Sequence, residues 1–157
     1  ANYVSDADIA AIAASRASVT YCPRTHDAFG HDPHRFRDML RAGVNVCLGT
    51  DSLVTARRPR GRPLELNLFT EMAGFANRFP HVAPDEILRL ATMNGARALG
   101  RSGQLGELCP GALADLIAIP YNGRVNDVSE ATVDFVGEVA ASMINGQWVI
   151  TPSSVNS

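Results

Sequence analysis

The sequence has no continuous run of about eighteen apolar residues, the minimum for a helix that crosses a bilayer, and its amino terminus has neither a basic opening nor an apolar targeting core. Cysteine is scarce as well: Cys22, Cys47 and Cys109 are odd in number and far apart, which excludes a disulfide framework. Cys22 and Cys47 lie in strand-like runs and read as buried thiols of a reducing compartment, so a cytoplasmic location is expected. No strong charge of either sign is present, since 14 basic residues face 16 acidic ones for a net charge of −2. The one dense basic cluster, Arg57, Arg58, Arg60 and Arg62, falls in a Pro- and Gly-rich segment without aromatic residues for base stacking. It reads as a solvated loop, and a nucleic-acid partner is not expected. Internal repeats and low-complexity segments are also lacking.

What is present is ample apolar material. With 46% hydrophobic residues in 157, the chain can bury a real core, and one globular unit is the default expectation. It opens on Ala1 rather than Met and runs almost at once into a helix cap, which suggests part of something longer.

The organising stretch is Asn45 to Ser52, NVCLGTDS. Val44, Val46, Cys47 and Leu48 form the nearly unbroken apolar run of a strand buried on both faces of a parallel sheet. Ligands of such sheets bind at the carboxyl ends of the strands, so Asp51 stands where a catalytic group is expected. An Asp after Gly-Thr also serves as a turn or cap residue, and the tetrapeptide alone leaves both readings open.

Around it the elements come in order. Ser5 and Asp8 form a capping box before Ile9, Ile12 and Ala13, giving a helix from Asp6 to about Arg16. Ala17 to Cys22 is rich in β-branched residues and stopped by Pro23, which marks a strand. Beyond it, Arg24 to His31 reads as a loop carrying an Arg, two His and an Asp directly past a strand end. Pro33 to Ala42 reads as a helix, and the strand–helix–strand order makes Ala17 to Cys22 and Val44 to Leu48 parallel neighbours, so the His-bearing loop and Asp51 open on one side. Further helices are expected from Leu64 to about Asn77, from Pro84 through Ala91, and over Asn94 to Leu99 with Gly100 as its left-handed stop. After Gly100 helical periodicity gives way to Ala114 to Ile119, read as a buried strand, and to a hairpin at Asn145-Gly146, with Thr151 to Ser157 fraying.

Taken in order, ANYVSDADI, YCPRTHDAFGH, VCLGTDS, ATMNGARALG, GELCPGALADLIAI and MINGQWVI make the chain resemble the carboxyl-terminal part of the amidohydrolase superfamily, in its cytosine-deaminase-like and chlorohydrolase-like branch. The resemblance implies an α/β fold: strands seven and eight, with their helices, of a metal-dependent (β/α)8 TIM barrel over residues 1–100, and part of a small β-sandwich over residues 101–157. It makes Asp51 the last-strand metal ligand and proton shuttle. One divalent metal is implied, zinc first and iron as the alternative, with the remaining His ligands upstream and absent from this chain. Thr25 and His26 fall where relatives face the substrate, although the loop reads Cys22-Pro23-Arg24-Thr25-His26 where many relatives have Cys-Pro-x-Ser-Asn. Arg24 meets either an anionic substrate or a structural partner, and His31, His34 and His81 read as surface or loop residues.

The implied activity is metal-dependent hydrolysis of a carbon–nitrogen bond, foremost deamination of an amino-substituted heterocycle or nucleoside. Ring-opening or dechlorinating hydrolysis on the same scaffold, and a non-catalytic α/β domain in which Asp51 caps a turn, remain as alternatives. The expected partners are a small-molecule substrate, the upstream part of the barrel and a second copy in a homo-oligomer. The chain on its own is expected to be inactive.

Overall fold

The computed structural model describes residues 1–55 and 65–152, and the basic cluster Arg57 to Arg62, Leu64 and the tail beyond Pro152 lie outside them. Helix α1 (Asp6–Ser15) begins at the capping box: the Ser5 N–H donates to Asp8 Oδ2 at 2.8 Å, and the Asp8 N–H donates to Ser5 Oγ at 3.2 Å. Arg16, in the left-handed region at φ 58°, ends it.

Strands β1 (Ser18–Tyr21) and β2 (Asn45–Leu48) pair in parallel, with Ser18 opposite Asn45 and Tyr21 opposite Leu48. All four residues of β2 are buried, as its apolar run requires, whereas β1 alternates with Val19 and Tyr21 inward. Val19, Tyr21, Val46 and Leu48 thus share one face, and the core forms on it from Phe36, Met39, Met72, Phe75, Ile87 and Leu90. On the other face Asn45 Nδ2 donates to Ser18 Oγ and to the Asn94 carbonyl, both at 2.9 Å, while Asn94 Nδ2 donates to the Val46 carbonyl at 2.7 Å.

Between the strands the structure departs from expectation. Residues expected as a loop form helix α2 (Pro23–Ala28), a single short turn started by a proline whose missing N–H costs nothing there. The helix expected from Pro33 is only α3 (Phe36–Arg41). Residues 33–35 stay out of it because His34 stacks on Tyr21 at 4.3 Å, and Arg35 donates to Asp6, Asp38 and the Val4 carbonyl. His34 is therefore buried, not a surface residue.

Helix α4 (Leu68–Arg78) starts where Asn67 Oδ1 accepts the N–H groups of Phe69 and Thr70. Helices α5 (Pro84–Ala91) and α6 (Met93–Ala98) come next, and Gly100 takes φ +68° as a left-handed stop.

The last third forms an antiparallel sheet, β3 (Leu116–Ala118), β4 (Ala141–Ile144) and β5 (Gln147–Ile150), in the order β3-β4-β5. Asn145 and Gly146 turn the hairpin at φ 48° and 77°, both positive as a type I′ turn demands. Two expectations fail here. The strand expected to be buried is largely exposed, with Ile117 at 54%, because nothing among the described residues covers that part of the sheet. A further helix, α7 (Val128–Val133), appears where no helical period was legible, and it buries Val133. Cys47 is buried and Cys22 half-buried, but Cys109 is exposed; all three thiols are free. No helix of the described residues is long and apolar enough to cross a membrane.

Candidate functional site

Because β1 and β2 run parallel in register, the segments that leave their carboxyl ends emerge side by side. The ladder extends one residue past β2, where the Gly49 N–H donates to the Tyr21 carbonyl at 2.9 Å. Glycine is favoured at that rung: a Cβ there would lie 2.5 Å from Thr20 Cγ2 and 3.2 Å from Cys22 Sγ, so a neighbour would have to move. Asp51 comes two residues later, exposed and in the left-handed region at φ 53°, a conformation that Asp tolerates better than most residues.

The turn after Asp51 is stabilised by its neighbours. Ser52 Oγ accepts the Val54 N–H at 3.2 Å, and Thr55 Oγ1 donates to the Ser52 carbonyl at 2.9 Å. No helix begins at Asp51, and among the described residues its carboxylate accepts no hydrogen bond. The carboxylate is therefore exposed past the carboxyl end of β2.

Thr25 reaches this turn directly, with its hydroxyl 2.6 Å from that of Thr55, so α2 and the Asp51 loop are tied together. His26 turns the other way and retains 2% exposure. Its Nδ1 lies 3.3 Å from Asn2 Oδ1, and its ring meets Tyr21, His31 and His34 edge-on at 5.2, 5.4 and 5.9 Å. Substrate contact by His26 would need this cluster to open.

Burial disfavours the charged forms of His26 and His34. It pushes the His26 imidazole below its usual range, with the Arg78 charge adding to the effect, and His34 down to about 4, with His26 adding. Burial likewise pushes the Tyr21 phenol up to about 12 and, with Asp51 second, the Cys22 thiol up to about 11.

Arg24 faces α4. Its Nη1 donates to Thr70 Oγ1 at 2.6 Å, both terminal nitrogens reach the Glu65 carbonyl, and Nε lies 3.2 Å from Glu71 Oε1, an ionic contact without hydrogen-bond alignment. The guanidinium is thus engaged by protein groups, which is the structural alternative for this residue. Glu71 is wholly buried, and its Oε2 accepts the Arg24 N–H at 3.1 Å. Burial pushes its carboxyl up, against the opposing pull of the Arg24 N–H and guanidinium.

Sequence reasoning passed over Glu71, Tyr21 and Asn2. The signal for Glu71 was a carboxylate three residues after Leu68 and one before Met72, inside the apolar stripe of α4. Among the described residues no three His, Cys, Asp or Glu side chains come together to hold a metal. Asp51 fits as one oxygen ligand, whereas catalytic zinc centres take about three from protein.

The comparisons with known proteins match this architecture. The chain is 34% identical over 142 residues to a 5-methylthioadenosine/S-adenosylhomocysteine deaminase of Acetivibrio thermocellus, covering 83% of this chain and 31% of that one. Among solved structures it superposes on E. coli guanine deaminase with a TM-score of 0.77 at 16% identity, covering 96% of this chain and 38% of that one. It also superposes on an adenosine deaminase from Xanthomonas campestris with bound zinc, at a TM-score of 0.78 and 24% identity, covering 94% and 35%. The chain spans about a third of the length of these relatives. The model of the amidohydrolase family matches residues 2–149, nearly the whole sequence, and the chain belongs to that family.

Proposed function

We propose that these residues are part of an enzyme that hydrolytically deaminates an amino-substituted purine, as the free base or as a nucleoside altered at its 5′ carbon. Relatives named as 5-methylthioadenosine/S-adenosylhomocysteine deaminase and guanine deaminase support the substrate class. The observation that carries the reading is the exposed carboxylate of Asp51, free of hydrogen bonds among the described residues, at the carboxyl end of the fully buried β2.

In this reading β1 and β2 are the seventh and eighth strands of a (β/α)8 barrel formed with upstream chain. Residues 1–100 complete that barrel, and residues 101–157 give part of a small β-sandwich. When bound, a divalent metal, zinc or alternatively iron, supplies Lewis acidity at the strand mouth. Asp51 would contribute one oxygen ligand, and its carboxylate would take a proton from the attacking water and pass it to the substrate's amino group, which leaves as ammonia. Thr25, tied to the Asp51 loop, is the α2 residue closest to substrate. His26 supports α2 from its buried side, and Arg24 anchors that helix to α4. The free thiols suit a cytoplasmic enzyme.

The test is metal analysis of the full-length product together with an ammonia-release screen over aminopurines, aminopyrimidines and related nucleosides. Release from purines, dependent on a stoichiometric divalent metal, is expected. A metal-loaded product that releases no ammonia from any of them overturns the proposal.

A further inference from the structure

Helix α2 carries Arg24, Thr25, His26 and Asp27 in succession, and these four side chains leave it in different directions. Arg24 and Asp27, three apart, both meet α4: Arg24 binds Glu71, Thr70 and the Glu65 carbonyl, and Asp27 pairs with Arg78 at the far end of that helix. Thr25 meets Thr55 in the Asp51 loop, and His26 meets Asn2. A six-residue helix has too few internal hydrogen bonds to hold its own position. It is held by α4, which grips it at two points a helix turn apart.

The first grip is an unusual choice for a core. A wholly buried carboxylate costs several kcal/mol in lost hydration, and buried ion pairs are commonly no more stabilising than apolar packing. Glu71 occupies a site between Leu68 and Met72 where an apolar side chain would complete the stripe, and its polar contacts among the described residues are the N–H and guanidinium of Arg24. An apolar residue there would fill the space without a directional contact to the Arg24 backbone, whereas the carboxylate accepts its N–H at 3.1 Å. At the neighbouring Gly74 an added Cβ would rest in ordinary contact with Arg24 Cγ at 3.7 Å and Pro23 Cβ at 3.8 Å, so α2 and α4 lie close together there.

We infer that Glu71 and Arg78 are positioning residues of the active site: through α2 they set where Thr25 meets the loop that presents Asp51. This role rests on the deaminase reading and assigns part of the enzyme's machinery to the helix that follows β2 in the element order.

The test is a set of cycles in the full-length enzyme. Glu71→Ala and Arg78→Ala are each combined with Thr25→Val, which removes the hydroxyl tether, and Glu71→Gln keeps an acceptor for the Arg24 N–H. Misplacing a substrate-side group by a fraction of an ångström costs roughly tenfold or more, so Glu71→Ala and Arg78→Ala each lower kcat/KM on that order with zinc per chain unchanged. Glu71→Gln recovers most of the loss. Each double variant with Thr25→Val loses no more than its worse single, because both changes act through the same tether. Arg78 and Asp27 are partly exposed, at 27% and 45%, so Arg78→Ala remains informative where Glu71→Ala does not fold. Independent, multiplying losses with Thr25→Val, or wild-type kcat/KM in Arg78→Ala, overturn the inference while leaving the deaminase reading standing. A metal-loaded wild type that deaminates nothing overturns both.

Discussion

Substituting Gly49 by Ala places a methyl group where the ends of β1 and β2 touch. The new Cβ would sit 2.5 Å from Thr20 Cγ2, about 1 Å inside the 3.5–4.0 Å at which carbon atoms rest in contact. Either the strand ends separate, or Thr20 turns its side chain. Separation by about 1 Å stretches the Gly49–Tyr21 rung from 2.9 Å past hydrogen-bond range, and rotation breaks the 3.5 Å contact between Thr20 Oγ1 and Cys47 Sγ. Overpacking costs about 1–3 kcal/mol and the lost rung about 1 more, so Gly49→Ala should destabilise by roughly 2–4 kcal/mol. Asp51 lies two residues on, and an ångström of displacement there lowers kcat/KM by about a hundredfold. Thr20→Ser supplies a control. It removes only the clashing methyl, leaving the next Thr20 atom at 4.0 Å and Cys22 Sγ at 3.2 Å, so the double variant should regain most of both losses. Urea midpoints and steady-state kinetics on the full-length enzyme read the two effects. A Gly49→Ala enzyme with wild-type midpoint and kcat/KM, or a double variant no better than the single, would refute the steric account.

Asp51→Asn should cut turnover by about a hundredfold or more with the unfolding midpoint unchanged, read by ammonia release and denaturation; wild-type turnover at unchanged metal content removes Asp51 from its role. His34 titrates near 4 in the fold against 6.5 in the unfolded chain, so between those values the unfolded state binds the extra proton. Stability from this group is therefore complete above about pH 6.5 and is lost on acidification toward pH 4, by up to about 3 kcal/mol. His34→Gln should flatten that slope in midpoints measured across the window, and an unchanged slope would count against a neutral buried His34. His26→Ala should lower both the midpoint and kcat/KM, since it empties a buried ring site, whereas His81→Ala, in an exposed turn, should change neither. Equal effects from the two would sink the placement of His26.

Some features of this chain were settled by residues adjacent in sequence. The Ser5–Asp8 capping box, the apolar run of β2, the parallel pairing across a short return and the Asn145-Gly146 hairpin each depend on local chemistry, and each appears as the sequence implied. Asp51 could be named because strand direction alone fixes which residue reaches the sheet mouth. Whether its carboxylate capped a turn could not be read, since that depended on Ser52 and Thr55 taking the turn's hydrogen bonds.

Only tertiary contacts decided the rest. Helix α2 is too short to leave a periodic trace and exists because α4 holds it. A histidine looks alike in sequence whether solvated or stacked, and His34 is buried because Tyr21, brought inward by the pleat of β1, offers it a ring face. Arg24 finds Glu71 across 47 positions of sequence, a pairing that no local pattern encodes. The strand around Ile117 is apolar enough to be buried, yet it lies exposed, because burial depends on what packs against a face as well as on the residues that form it.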